Sequence, residues 1–238
     1  MAPPTHETAT ASGRHEIVVI DKGAADLATL LAGMPSSAEI ILIDSARDGF
    51  DQLADALAGR SGIDAIHILS HGSAGDLHLG TGELTAETIQ SRYAADLAVI
   101  GNALTATGDL LIYGCDFAAG AVGARAVALL ASATGADIAA SDDATGATEL
   151  GGDWNLETHR GAIETGVVLD EAAQRDWHHL LAAADNGRGA LLAVSGRAIY
   201  SVDIATGKAT ELTRALDSVG GSRWARPSIR SPSIRRTD

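Results

Sequence analysis

Short apolar runs alternate with longer amphipathic stretches along the first two thirds of the chain. HEIVVID (15–21), AEIILID (38–44), DAIHILS (64–70), GDLLIYGC (108–115) and ADIAAS (136–141) have the length and β-branched content of buried strands. Between them the apolar spacing turns helical. AADLATLLAG (24–33) is a helix, and DGFDQLADALAG (48–59) sets Phe50, Leu53, Ala54 and Leu57 on one face, with Gly59 as its stop. GDLHLGTGEL predicts a short hairpin, after which Thr85 caps an amphipathic helix running to about Leu104. A further helix is predicted from Ala119 to about Thr134, and WNLETHRGAIET (154–165) reads as one or two further strands.

Near-continuous apolar strands joined by helices predict a mostly parallel sheet covered on both faces, an α/β three-layer sandwich with right-handed crossovers. In such sheets functional groups collect at the carboxyl ends of the strands. His71 follows the third strand there and Cys115 ends the fourth, 44 positions later.

Composition narrows the classes. The chain has 238 residues, 46% hydrophobic, enough for a full core, but only 3% aromatic, which gives little surface for stacking bases. The formal charge is −14. The last 16 residues carry five Arg against one Asp, so the first 222 hold −18, a body that repels nucleic acid and anionic membranes. No apolar run is long enough to span a bilayer, and MAPPTHETATASGRHE lacks the apolar core of a secretory signal. A single cysteine, Cys115, excludes an internal disulfide and a thiolate cluster, leaving an inert packed thiol or a nucleophile.

If the third and fourth strands are neighbours, about 4.8 Å apart, His71 and Cys115 face one cleft. An imidazole can take the thiol proton and return it to a leaving amine. Gly72 lets a carbonyl approach the backbone, the N–H groups of Gly72 and Cys115 are candidate oxyanion donors, and Gly114 relieves crowding beside the thiol. The plainer reading is a core cysteine and a loop histidine, although flanking glycines are not something packing alone requires. His67, four residues before His71, invites a metal site with His78, but no carboxylate stands at a familiar ligand spacing; no metal or cofactor is expected. Ser73 in HGSAG is a poor nucleophile elbow, since His71 stands where a glycine belongs. No dinucleotide-binding glycine pattern follows the first strand, and the third ends in Ser70-His71, without the Asp of a phosphorylation receiver.

The order strand, SHG, hairpin, helix, strand, GC, helix resembles the caspase and gingipain type of cysteine peptidase, clan CD. AIHILSHGSAGDLHLG, LLIYGCDFAAG and TGADIAASDDATGATELGGDWNLE look more closely like a bacterial domain of unknown function found near the N-terminus of very large, repeat-rich surface or secreted proteins of adhesin type. The resemblance spans roughly residues 15–165. It implies a caspase-like topology, with His71 as general acid and base, Cys115 as nucleophile and a polypeptide, the parent chain or a neighbour, as substrate. It implies an extracellular or cell-surface location, with the cytoplasm as the alternative. Tyr113-Gly114 stands where caspases have Gln-Ala, so specificity for Asp is not implied. A non-catalytic adhesin or scaffold module on the same fold is the alternative.

The acidic loop SDDATGATELGGDW starts on the same sheet edge. It reads either as a solvated turn or as a pocket wall in which Asp142 or Asp143 receives a Lys or Arg side chain. The expected organisation is a disordered 1–14, the α/β domain over 15–168, a linker over 169–188, a partial β-repeat over 189–222 with an ATGK turn, and a disordered basic tail over 223–238, where Pro-Ser-Ile-Arg occurs twice.

Overall fold

A computed structural model describes residues 13–182 and, farther on, the strands Ala190–Ser195, Ala198–Asp203 and Ala209–Thr213. The expected disordered tail, and all but the last two residues of the expected disordered N-terminus, lie outside the described residues. The chain divides into two units, residues 1–184 and 185–238.

The first unit is built on a six-stranded sheet. Its strands are β1 (Glu16–Asp21), β2 (Glu39–Ile43), β3 (Ile63–Leu69), β7 (Leu104–Ile112), β8 (Asp137–Ala140) and β9 (Thr158–Arg160), in the order β2-β1-β3-β7-β8-β9. All pairs are parallel except β8 with β9. A small antiparallel sheet, β4 (Gly72–Ser73), β5 (Asp76–Leu79) and β6 (Gly82–Thr85), follows β3 directly.

Strand alternation divides the core in two. Ile17, Val19, Ile66, Ile68, Leu110 and Ile112 face one apolar cluster, shared with α2 (Gly49–Leu57), α3 (Ala86–Gln90), α4 (Ala94–Ala103) and α5 (Gly120–Thr134). Val18, Ile20, Ala65, Leu69, Leu111 and Tyr113 face the other, shared with α1 (Leu27–Ala32) and α6 (Glu171–Asp176). The molecule is thus an α/β sandwich with helices on both faces. The expected apolar stripe of α2 holds: Phe50, Leu53, Ala54 and Leu57 are all buried, and Asp48 caps the helix by accepting from the N–H groups of Phe50 and Asp51.

Some boundaries differ from those the hydrophobic pattern predicts. The long helix after Thr85 is two helices, broken at Ser91–Tyr93. Tyr93 is buried there against Phe50, ring centroids 4.9 Å apart, and its hydroxyl donates to Asp48 at 2.8 Å, a tertiary anchor stronger than the helical preference of the intervening residues. The segment 154–165 gives one short edge strand, β9. And the domain does not end at 168. Leu169, Ala173, Trp177 and Leu181 are buried in the second cluster, and the Trp177 indole donates to the Ala25 carbonyl at 2.8 Å. Fully burying side chains of this size is worth about 1.5–3 kcal/mol each, enough to fold an expected linker onto the sheet.

The second unit is a three-stranded antiparallel sheet, β10 (Ala190–Ser195), β11 (Ala198–Asp203) and β12 (Ala209–Thr213), in sequence order.

Candidate functional site

β3 and β7 are hydrogen-bonded neighbours, with Ile68 opposite Ile112. Three residues farther along each chain stand His71 and Cys115, so one register carries both to the same carboxyl edge. The two backbones then come into contact. A Cβ on Gly72 would lie 2.8 Å from the Gly114 carbonyl carbon and 2.9 Å from the Cys115 oxygen. Glycine at 72 is therefore required by close approach, and the chain-reversing β4–β6 hairpin can begin one residue after the histidine.

Cys115 is buried, 1% exposed, on the face that carries Leu111 and Tyr113. Its Sγ accepts the Thr145 N–H at 3.1 Å and lies 3.5 Å from the Thr145 carbonyl oxygen. Burial pushes the thiol up to about 11, against a smaller downward pull from the Thr145 N–H. His71 is half-buried, and its Nδ1 is shut off from solvent with no hydrogen-bond partner among the described residues. A buried polar atom left unpaired costs about 1–3 kcal/mol, a cost His71 shares with other buried groups such as Thr145 Oγ1 and Trp154 Nε1.

The two N–H groups named as oxyanion donors converge. Gly72 N and Cys115 N both donate to the carbonyl oxygen of Leu181, each at 3.1 Å. Leu181 N donates to Thr145 O at 2.9 Å, and Ala147 N to His179 O at 2.8 Å. Residues 178–182 thus run through the cleft as an extended strand, antiparallel to the 145–147 loop at Gly146–Leu180 and parallel to β4 at Gly72–Ala182. A Cβ on Gly146 would meet the His179 carbonyl oxygen at 2.3 Å, so that glycine makes room for the strand. Thr145, Gly146 and Leu181 were not among the residues singled out from sequence. The visible signals were the glycines of ATGATELGG and the apolar pair in HHLLA, which look like loop and linker until the fold brings them together.

Asp142 and Asp143 sit on the same edge, both exposed. The Asp143 carbonyl accepts from the Asp116 N–H at 2.6 Å and the Asp142 N–H donates to Glu157 at 3.1 Å. Partial burial, then the nearby Glu157, Asp153 and Asp142 carboxylates, raise the Asp143 pKa. Asp143, Asp153 and Glu157 bring oxygens within 4.8 Å of one another, as do Asp109, Asp137 and Glu164 at the far edge; either trio has the oxygen chemistry of a hard cation site. The histidines do not gather. His67 is buried on Tyr113, Nδ1 to hydroxyl 3.2 Å, while His78 pairs with Asp76 at 3.3 Å, which raises its pKa. Ser73 lies in β4, exposed and opposite Asp76. A groove of about 620 Å³ runs beside the 148–155 loop and α6, lined by residues including Glu149, Trp154 and Arg175; neither His71 nor Cys115 borders it. Among the described residues no helix is long and apolar enough to cross a membrane.

No curated protein and no solved structure matches the chain. A family model matches residues 17–181, taking in the six-stranded sheet from the second residue of β1 and the strand in the cleft up to Leu181. The chain belongs to the family described as a domain of unknown function, DUF4347.

Proposed function

We propose that this domain is a cysteine peptidase of the caspase and gingipain type, acting on its parent chain or a neighbouring polypeptide within a large surface or secreted protein. Cys115 is the nucleophile, His71 the general acid and base, and the Gly72 and Cys115 N–H groups the oxyanion site. One observation carries the reading: those two N–H groups, supplied by the ends of different strands, meet on a single carbonyl oxygen. A lone strand pairing takes its donors along one edge, whereas two convergent donors suit an oxygen that gains negative charge during acyl transfer. Such a donor is worth roughly 2.7–4 kcal/mol in the transition state.

The chemistry follows from the thiol. With the thiol pushed up to about 11, only about one molecule in ten thousand carries a thiolate at pH 7. Attack therefore needs a base that removes the proton as the C–S bond forms, the role assigned to His71. The imidazolium then protonates the departing amine. Water, deprotonated by the same imidazole, releases the acyl group from sulfur as a carboxylate and restores the thiol.

The non-catalytic scaffold reading has one observation of its own, the burial of a protonated thiol held by Thr145. The two part in a labelling experiment. A peptide carrying a thiol-reactive ketone after Leu is offered to the chain bearing Leu181→Asp, so that the strand in the cleft does not compete, and intact mass is read. The peptidase reading expects modification of Cys115 that His71→Ala reduces at least a hundredfold. Labelling indifferent to His71, or none, leaves Cys115 a packing group.

A further inference from the structure

We infer that the strand in the cleft is the domain's own substrate, and that the bond cut is Leu181–Ala182. This rests on the peptidase reading above and names its substrate.

The strand meets the site at three successive points as a bound peptide would. The His179 carbonyl and the Leu181 N–H are held by Ala147 and Thr145, the antiparallel backbone pairing by which an extended peptide is captured at an edge. The Leu181 carbonyl oxygen takes the Gly72 and Cys115 N–H groups at 3.1 Å each. Because the second of these belongs to the nucleophile's own residue, the carbonyl carbon under attack is that of Leu181. The leaving nitrogen belongs to Ala182, which pairs with Gly72, the residue next to His71. The two backbone donors and the nucleophile's residue therefore meet at one peptide bond, with His71 adjoining the residue that pairs beyond it.

Side chains fix which residue precedes the cut. Leu181 is fully buried in the apolar cluster that also holds Cys115, Tyr113, Trp154 and Trp177, while Ala182, beyond the bond, is exposed. The residues around Leu181 are apolar and aromatic, a surrounding that accepts an apolar side chain. The buried aromatic chain of Trp154 and Trp177, ring centroids 5.5 Å apart, anchors the strand just upstream. Cysteine attack on Leu181 forms a thioester and breaks the C–N bond, with the Cys115 proton passing through His71 to the Ala182 amine. Hydrolysis by water leaves a carboxylate at Leu181 and the free thiol.

The test uses the full chain, purified and incubated at neutral pH, with intact mass and N-terminal sequencing over time. The expected result is a fragment beginning at Ala182, absent from Cys115→Ala, slowed at least tenfold by Leu181→Asp and blocked by Ala182→Pro. Ala182→Pro alters an exposed position and keeps Leu181 extended, so it tests cleavage where Leu181→Asp fails to fold. Gly146→Ala, which meets the His179 oxygen, displaces the strand by another route. If the wild-type chain stays whole, or is cut elsewhere, the inference is overturned. If in that case Cys115 of Leu181→Asp or Gly146→Ala still labels in a His71-dependent way, the strand is a plug and the peptidase reading stands. If it does not label, both fall.

Discussion

The Cys115 thiol is held by both backbone ends of one residue, accepting from the Thr145 N–H at 3.1 Å and lying 3.5 Å from its carbonyl oxygen. The Thr145 carbonyl also takes the Leu181 N–H, so the nucleophile, the loop and the strand share one backbone group.

A pH dependence follows. The folded thiol titrates near 11, above its ordinary value of 9.0, so the folded chain holds this proton more tightly than the unfolded one. The stabilisation is fully present below pH 9 and is lost as pH rises through 11. It amounts to about 2–3 kcal/mol. Urea unfolding between pH 8 and 11 should show that loss in the wild type and a smaller one in Cys115→Ala. Tyr113, also pushed up by burial, contributes to both curves and cancels in their difference. Parallel curves for the two proteins would mean that the folded thiol titrates at its unfolded value.

Gly72→Ala should open the junction between the strand ends. The added Cβ faces backbone atoms of Gly114 and Cys115 at 2.8–2.9 Å, which cannot swing aside, and overpacking of this kind costs about 1–3 kcal/mol. Gly166→Ala, with nothing within 4 Å, is the control. We expect lower urea stability and lost self-cleavage for Gly72→Ala and near-neutral behaviour for Gly166→Ala. Equal behaviour of the two would show that the close approach is not needed.

The Asp142→Asn, Asp143→Asn double variant should keep a preference for Leu before the scissile bond in a peptide library. Both acids are exposed, whereas Leu181 is fully buried among apolar residues. Relief of repulsion with Glu157 and Asp153 should raise stability at neutral pH by a few tenths of a kcal/mol. A wild-type preference for Lys or Arg that the variant loses would restore the pocket-wall role to these acids.

Periodicity made the five core parallel strands, the four longer helical stretches between them and the capping role of Thr85 legible, because these depend on local spacing and on which residues shelter from water. His71 and Cys115 could be matched across 44 positions because consecutive parallel strands tend to pair and present their carboxyl ends on one edge. The break at Ser91–Tyr93 could not be read. It is fixed by Asp48, more than forty residues away, and by the Phe50 ring.

By itself the sequence determined an acidic α/β domain with an imidazole and a thiol at adjacent strand ends, since binary patterning and topology depend on residues near in the chain. Only the tertiary structure decided where that domain stops and what fills its cleft. HHLLA follows a charged helix and carries no period of its own; its place comes from Trp177 and Leu181 finding an apolar cluster built by residues up to about 160 positions earlier. The donors for the Leu181 carbonyl come from Gly72 and Cys115, which no local pattern joins to it. Hydrogen bonds across such separations form only once the sheet has brought its strand ends together, so their partners are set by packing and not by spacing.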